Sequence, residues 1–260
     1  MTYDTLEVDH LEAGIWQISL TRPEKLNALN SVLITELTDI VLHAKATPHC
    51  RGLVFTGQGK AFCAGADINQ LATVDALEGL NFAREGQALM RLIETLAKPC
   101  VAAINGFAFG GGCELALAMH VRIASDNALF GQPEVKLGVI PGYGGTQRLS
   151  RLVGKGRALD LCLTGRFIDA QTAYQWGLIT EVTNQESLLP RAVALLTLII
   201  NNGPLAVKAA MQVIDQGFDL SLPDALELEA LQFALTCASA DKQEGTMAFL
   251  EKRSPAFSGS

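Results

Sequence analysis

Apolar positions along this chain follow two periods in turn. Over 14–20, Ile15, Gln17 and Ser19 alternate with Trp16, Ile18 and Leu20, which predicts a strand. Leu33, Leu37, Ile40, Val41 and Ala44 then keep helical spacing. Residues 52–56 (GLVFT) are a short apolar run closed by Gly57 and Gly59, the pattern of a buried strand. Helical spacing returns at Leu89, Met90, Leu92, Ile93 and Leu96 and is ended by Pro99. Strand-like runs follow at 101–104 and 121–124. Strand and helix alternate in this way to about residue 180, which predicts an α/β core. From Gln171 the pattern turns almost wholly helical, over 188–201, 205–216, 222–236 and 243–252. This change of texture predicts a helical C-terminal extension; there is no low-complexity linker and no clean short-period repeat.

Composition narrows the picture. With 260 residues and 49% hydrophobic content, the chain can bury a large core. Charged residues make up only 18%, and the mean hydropathy is +0.25, which predicts apolar surface hidden between subunits. The longest apolar runs, 192–196 and 198–200, fall far short of the roughly 20 residues of a membrane span. Asp4, Glu7, Asp9 and Glu12 precede the first basic residue, Arg22, which fits neither a secretory signal nor a transit peptide. Cys50, Cys63, Cys100, Cys113, Cys162 and Cys237 form no CxxC pair, so a reducing, cytoplasmic compartment is expected. A net charge of −7 and a pI of about 5.1 argue against nucleic acid as a partner. A phosphorylated small ligand stays open, with Lys25, Lys60, Lys252 and Arg253 as candidate cations.

The candidate chemistry lies in the glycine-rich turns. Gly110-Gly111-Gly112 runs into an alanine-rich apolar stretch and predicts a turn that opens a helix. Such a start offers unpaired N–H groups and a positive dipole end, able to hold a developing negative charge. Glu114 lies in its first turn, and Glu134 follows in a Gly/Pro-marked loop. An anion hole beside two carboxylates suits proton transfer next to a carbonyl. Each feature has a plainer reading: a dipole-stabilised glutamate, a solvated loop carboxylate near Lys136, a close backbone turn. The spacing is not GxGxxG, and neither a GxxxxGK[ST] loop nor a GxSxG elbow occurs. His10, His43, His49 and His120 form no ligand spacing, so no metal site is expected. Asp67 is expected to cap a short helix, with Gln70 in capping-box position.

Taken together, RPEKLNAL (22–29), FCAGADI (62–68), NGFAFGGGCELA (105–116), FGQPEVKLGVIPGYGGTQRL (130–149) and EGTMAFLEKR (244–253) resemble the enoyl-coenzyme A hydratase (crotonase) family. The match runs from about Trp16 to Arg253. The resemblance implies an α/β spiral of repeated β-β-α units over 1–195 and a helical trimerisation region over 196–260. It further implies that the Ala66 and Gly111 N–H groups form the oxyanion hole, that Glu114 and Glu134 are the acid/base pair, and that Gly142 helps hold the catalytic water. Ala66, Asp67, Ile68, Asn69 and Gly111 match the substrate-contacting positions. Lys25, Leu26, Ala28 and Ala64 match positions near the coenzyme A nucleotide, and Lys252 a position that reaches a neighbouring subunit's ligand.

The implied activity is hydration of a 2-enoyl-CoA to a 3-hydroxyacyl-CoA by a homotrimer or dimer of trimers. No metal or redox cofactor is implied, coenzyme A being part of the substrate. Possession of both glutamates favours hydratase over an enoyl-CoA isomerase or a non-catalytic acyl-CoA-binding subunit. Two positions depart from the pattern: Asn69 stands where many relatives carry lysine, and Tyr143 where a small residue is common. The second is expected to narrow the acyl end of the pocket.

Overall fold

A computed structural model describes residues 2–260. Two sheets organise the chain. The larger has six strands in the spatial order Leu6–His10, Ile15–Leu20, Gly52–Gly57, Cys100–Ile104, Val121–Ser125 and Glu181–Thr183. The smaller has four, in the order Ala61–Cys63, Phe107–Phe109, Leu129–Gly131 and Phe167–Asp169. The chain visits the two sheets alternately. Gly52–Gly57 and Ala61–Cys63 are followed by the helix Ala76–Glu94; Cys100–Ile104 and Phe107–Phe109 by the helix Gly111–Leu117; Val121–Ser125 and Leu129–Gly131 by the helices Gly145–Val153 and Lys155–Thr164. Each turn lays one parallel strand beside its predecessor in both sheets, with Val54 opposite Val101 and Val101 opposite Val121. This is the β-β-α spiral that the resemblance implies. No short period shows in the sequence because the helical arms differ so much in length.

The central strands read as unbroken apolar runs because both faces of the sheet are covered. Leu53, Phe55, Ala102 and Ile104 join the main core, whereas Ile15, Val54, Val101, Ala103 and Ile123 face the other way. That second face is covered by Leu188, Ala192, Leu196 and Ile200, which recur every fourth residue along one side of the helix Leu188–Ile200. The domain boundary expected between 195 and 196 therefore falls inside a helix whose Leu196 and Ile200 belong to the core. Beyond it, Pro204–Gly217 and Leu222–Cys237 bury no residue, and Ala240–Glu251 buries only Asp241 and Ala248. Large apolar side chains there, including Ile214, Phe218, Leu222, Phe233 and Phe249, stand in solvent. No single helix among the described residues is long and apolar enough to cross a membrane.

Several elements depart from the pattern reading. The helix inferred around 89–96 is the end of Ala76–Glu94, opened by a full capping box between Asp75 and Glu78. Its first half is mostly exposed and buries no residue, so its apolar positions keep no clear helical period. The strand Glu181–Thr183 interrupts the region read as wholly helical and closes the edge of the large sheet beside Val121–Ser125. Gln70 completes no capping box: its side chain bonds Ser31, accepting from the backbone N–H and donating to the hydroxyl, while Asp67 alone caps Ile68–Leu71.

Candidate active site

The two strand-to-helix turns of the spiral and the 64–68 segment converge on one cradle. Leu29 and Ala66 form an isolated parallel bridge in which Leu29 N–H donates to Gly65 C=O and Asp67 N–H donates to Leu29 C=O, both at 2.8 Å. The residues flanking Ala66 make those bonds, so its own N–H points to the opposite side. There it meets the start of Gly111–Leu117: a Cβ built on Gly111 would stand 3.3 Å from Ala66 N. Gly111 is the first residue of that helix, a position with no intrahelical acceptor. Among the described residues, neither the Ala66 nor the Gly111 N–H donates a hydrogen bond. Gly110, which precedes Gly111, needs to be glycine: its φ is +49°, and a Cβ would lie 2.5 Å from Glu134 Oε1.

Two carboxylates border these free amides. Glu114 is 1% exposed, and its Oε1 accepts from Tyr143 N–H at 2.8 Å and Gly145 N–H at 2.6 Å. Burial pushes its pKa up to about 7; the Gly145 and Tyr143 N–H groups and Arg148 oppose the rise, and the charge of Glu134 adds to it. Glu134 opens the short turn Glu134–Leu137 above Gly110, and burial pushes it up to about 7 as well. The buried Gln132 amide, with its NH2 turned toward Glu134, donates to the two carboxylate oxygens at 3.1 and 3.2 Å. The charge of Glu134 thus acts on Glu114, so the two titrations are linked. Gly142, in the same loop as Tyr143, accepts from Gln87 Nε2 at 2.8 Å, and its N–H has no acceptor among the described residues.

The remaining candidates sort by position. Leu26 and Asn27 both adopt positive φ, and the buried Asn27 side chain holds that loop by donating to Gln58 and Ala61 carbonyls at 3.0 and 2.8 Å. Ala64 N–H donates to Leu26 C=O at 3.0 Å, so Lys25, Leu26 and Ala28 run alongside Ala64 and lead directly into the cradle. Asp67 is engaged by Arg22 at 3.3 Å and by Asn69 N–H at 3.1 Å, whereas Ile68 and Asn69 are less confined, Ile68 being 51% exposed. Lys252 stands apart, exposed in a left-handed conformation at the end of Ala240–Glu251. The Tyr143 ring does not project as a free wall. It is buried against Phe82, with centroids 5.4 Å apart, in a notch that exists because residue 86 is glycine.

Sequence reasoning missed three supports: the Tyr143 and Gly145 N–H groups on Glu114, the Gln132 amide facing Glu134, and Arg148. The glycine-rich turn 141–145 carried the signal for the first; nothing in the local pattern marked the others. Among the described residues no group of three His, Cys, Asp or Glu side chains is arranged to hold a metal.

Known proteins share this arrangement's frame. Residues 10–260 match the family model described as Enoyl-CoA hydratase/isomerase. A crotonyl-CoA hydratase of Syntrophomonas wolfei is 42% identical over 258 residues, covering 99% of each chain. A short-chain-enoyl-CoA hydratase of Clostridium acetobutylicum is 41% identical over 243 residues, covering 93% of each. The crystal structure of an enoyl-CoA hydratase from Bacillus anthracis superposes with a TM-score of 0.95 at 38% identity, covering 99% of this chain and 100% of the other. With the spiral, the paired glutamates and these likenesses in agreement, the chain belongs to the enoyl-CoA hydratase/isomerase family.

Proposed function

We propose that this chain is an enoyl-CoA hydratase that adds water reversibly across the double bond of a 2-enoyl-CoA thioester to give the 3-hydroxyacyl-CoA. One observation carries the reading: two unengaged N–H groups, Ala66 and Gly111, adjoin two carboxyls held near neutrality, Glu114 and Glu134. The thioester oxygen sits on the two amides, which draw electrons through the conjugated system and make C3 electrophilic. Each such donor contributes about 3–4 kcal/mol to transition-state stabilisation. Ionised Glu114, aimed by Tyr143 and Gly145, takes a proton as a water oxygen bonds to C3; Gly142 N–H helps hold that water. Protonated Glu134 delivers its proton to C2. One proton is gained at Glu114 and one lost at Glu134, and exchange with solvent resets the pair. The resting state needs one proton between two groups, and raised values near 7 for both supply that state at neutral pH.

Lys25, Leu26, Ala28 and Ala64 border the cradle where the nucleotide end of coenzyme A would lie, and Lys252 serves a neighbouring subunit's ligand. The exposed apolar residues of the C-terminal helices support assembly into trimers or pairs of trimers. The six cysteines are free, which suits a reducing, cytoplasmic setting. The step needs neither metal nor redox cofactor. Loss of enoyl absorbance from crotonyl-CoA, with the 3-hydroxy product identified, is the deciding assay, and a chelator leaves its rate unchanged. Conversion of a 3-enoyl thioester to its 2-enoyl isomer without hydration would replace the reading with an isomerase.

A further inference from the structure

We propose that Arg148 and Glu94 are positioning residues for the hydration step: together they fix the Tyr143 peptide, and through it the two N–H groups that hold Glu114. The inference rests on the hydratase reading above. Arg148 uses all three guanidinium nitrogens. Its Nε donates to Glu94 Oε1 at 3.1 Å and its Nη2 to Glu94 Oε2 at 2.9 Å, a two-point fork. Its Nη1 donates to the Tyr143 carbonyl at 3.1 Å. That carbonyl belongs to the planar peptide joining Tyr143 to Gly144, which lies between the peptides that carry the Tyr143 and Gly145 N–H groups, so holding it anchors the turn from which both project. Tyr143 N–H on one side and Gly145 N–H on the other then close on Glu114 Oε1. Glu94 is the last residue of Ala76–Glu94, and Arg148 lies in Gly145–Val153, so two rigid elements meet at this fork.

The charges support the geometry. Burial pushes the Glu94 carboxyl up, but Arg148 and Arg91 outweigh it and hold the group below the usual carboxylate range. The ion pair is therefore ionised through neutral pH, and Arg148 keeps a fixed positive charge beside Glu114. The charged groups acting on Glu114 are Arg148 and Glu134; the nearby Cys113 and Cys162 thiols and the Tyr143 phenol are pushed up and stay neutral. Glu94 Oε2 also receives Arg91 Nη1 at 3.1 Å, and Arg91 pairs with Asp215 at 3.3 Å on the helix Pro204–Gly217. An alternating line of charges thus joins the C-terminal extension to the loop that aims the catalytic glutamate. It borders a cleft of about 560 Å³ that Gln87 and Gly144 also line.

The test uses Arg148→Gln, which removes charge and fork, and Arg148→Lys, which keeps the charge alone. Thermal melting first establishes that each is folded. In Arg148→Gln, kcat for crotonyl-CoA hydration falls at least about tenfold with KM within about twofold. The acidic limb of its pH profile moves to higher pH, because a positive charge beside Glu114 has gone. Arg148→Lys loses kcat but keeps the wild-type limb. Folded variants with wild-type kcat and profile overturn the proposal, as does a loss of kcat in Arg148→Gln with an unmoved limb. If the wild-type chain hydrates no enoyl thioester, the functional reading fails separately. The carbon-13 carboxyl titration of Glu114, assigned with Glu114→Gln, then decides: a shift to higher pH in Arg148→Gln upholds the clamp, and an unmoved titration, in that variant or relative to Arg148→Lys, overturns it.

Discussion

Two glycine-opened helix starts face each other in this molecule, and they use their amides in opposite ways. At the start of Gly111–Leu117 the first N–H has no partner among the described residues; at the start of Gly145–Val153 the first N–H is bonded to Glu114 at 2.6 Å. One terminus is left open, where the proposed function seats a substrate oxygen, while the other is turned inward onto a carboxylate. The same local physics, unpaired donors at a positive dipole end, therefore serves both binding and positioning. The difference comes from what the spiral places opposite each: the Ala66 amide faces the first, and the Glu114 side chain rising from the first helix meets the second.

The largest effects fall on the carboxylates between the two termini. Glu114→Gln and Glu134→Gln each lower kcat for crotonyl-CoA hydration by about 10²–10⁴-fold, the range of general acid–base catalysis, with KM nearly unchanged. Near-normal rates in both variants would remove the assigned roles. Gly111→Ala and Gly145→Ala then separate the two helix starts. An added Cβ at 111 stands 3.2 Å from the Tyr143 ring and 3.3 Å from Ala66 N, crowding the oxygen site, so binding and turnover both suffer. At 145 it stands 2.6 Å from the Gln132 amide and 2.9 Å from Glu114, so kcat drops by about 10²-fold through displaced carboxylate with binding largely retained. Steady-state kinetics distinguish the two, and identical profiles would dissolve the contrast.

A smaller effect reads the same site through stability. Glu114 sits near 7 against an ordinary 4.5, so the folded state keeps a proton that the unfolded chain has lost. Stability tied to this group is whole below about 4.5 and is lost as pH rises through about 7. Glu114→Gln accordingly melts above the wild type at pH values beyond the folded pKa, and the gain fades on acidification; calorimetry across that window checks it. The smallest effect concerns Tyr143, whose buried hydroxyl has no hydrogen-bond partner among the described residues. Tyr143→Phe raises stability by about 1 kcal/mol while leaving its backbone N–H on Glu114.

Much of this was legible in the chain. The strand-like runs at 52–56, 101–104 and 121–124 are neighbouring parallel strands; burial on both faces leaves little polar alternation, the charged exception being the buried Arg122. The triple glycine and its glutamate announced the helix start. What stayed hidden depends on long-range geometry. Four short strands of the small sheet have only three residues each, too few to establish a period. Arg148 reads as an ordinary helical arginine until Glu94 is brought beside it from another element. Tyr143 looked like a pocket wall, and the glycine at 86 that lets its ring sink into the core lies far away in sequence.

The unequal arms of the coil have a consequence for how such a protein changes over time. Every circuit deposits a strand in both sheets, while the helical excursion between circuits hangs outside the strand register. An excursion can therefore lengthen or shorten at its far end without shifting the groups just beyond the strand ends, where the Ala66 and Gly111 amides and Glu134 stand. Ala76–Glu94, the longest excursion, supplies Phe82, Gly86, Gln87 and Glu94 to the surroundings of Tyr143 and Gly142. Variation confined to that arm would alter what packs around Tyr143 and Gly142, provided the Glu94 end that grips Arg148 is kept.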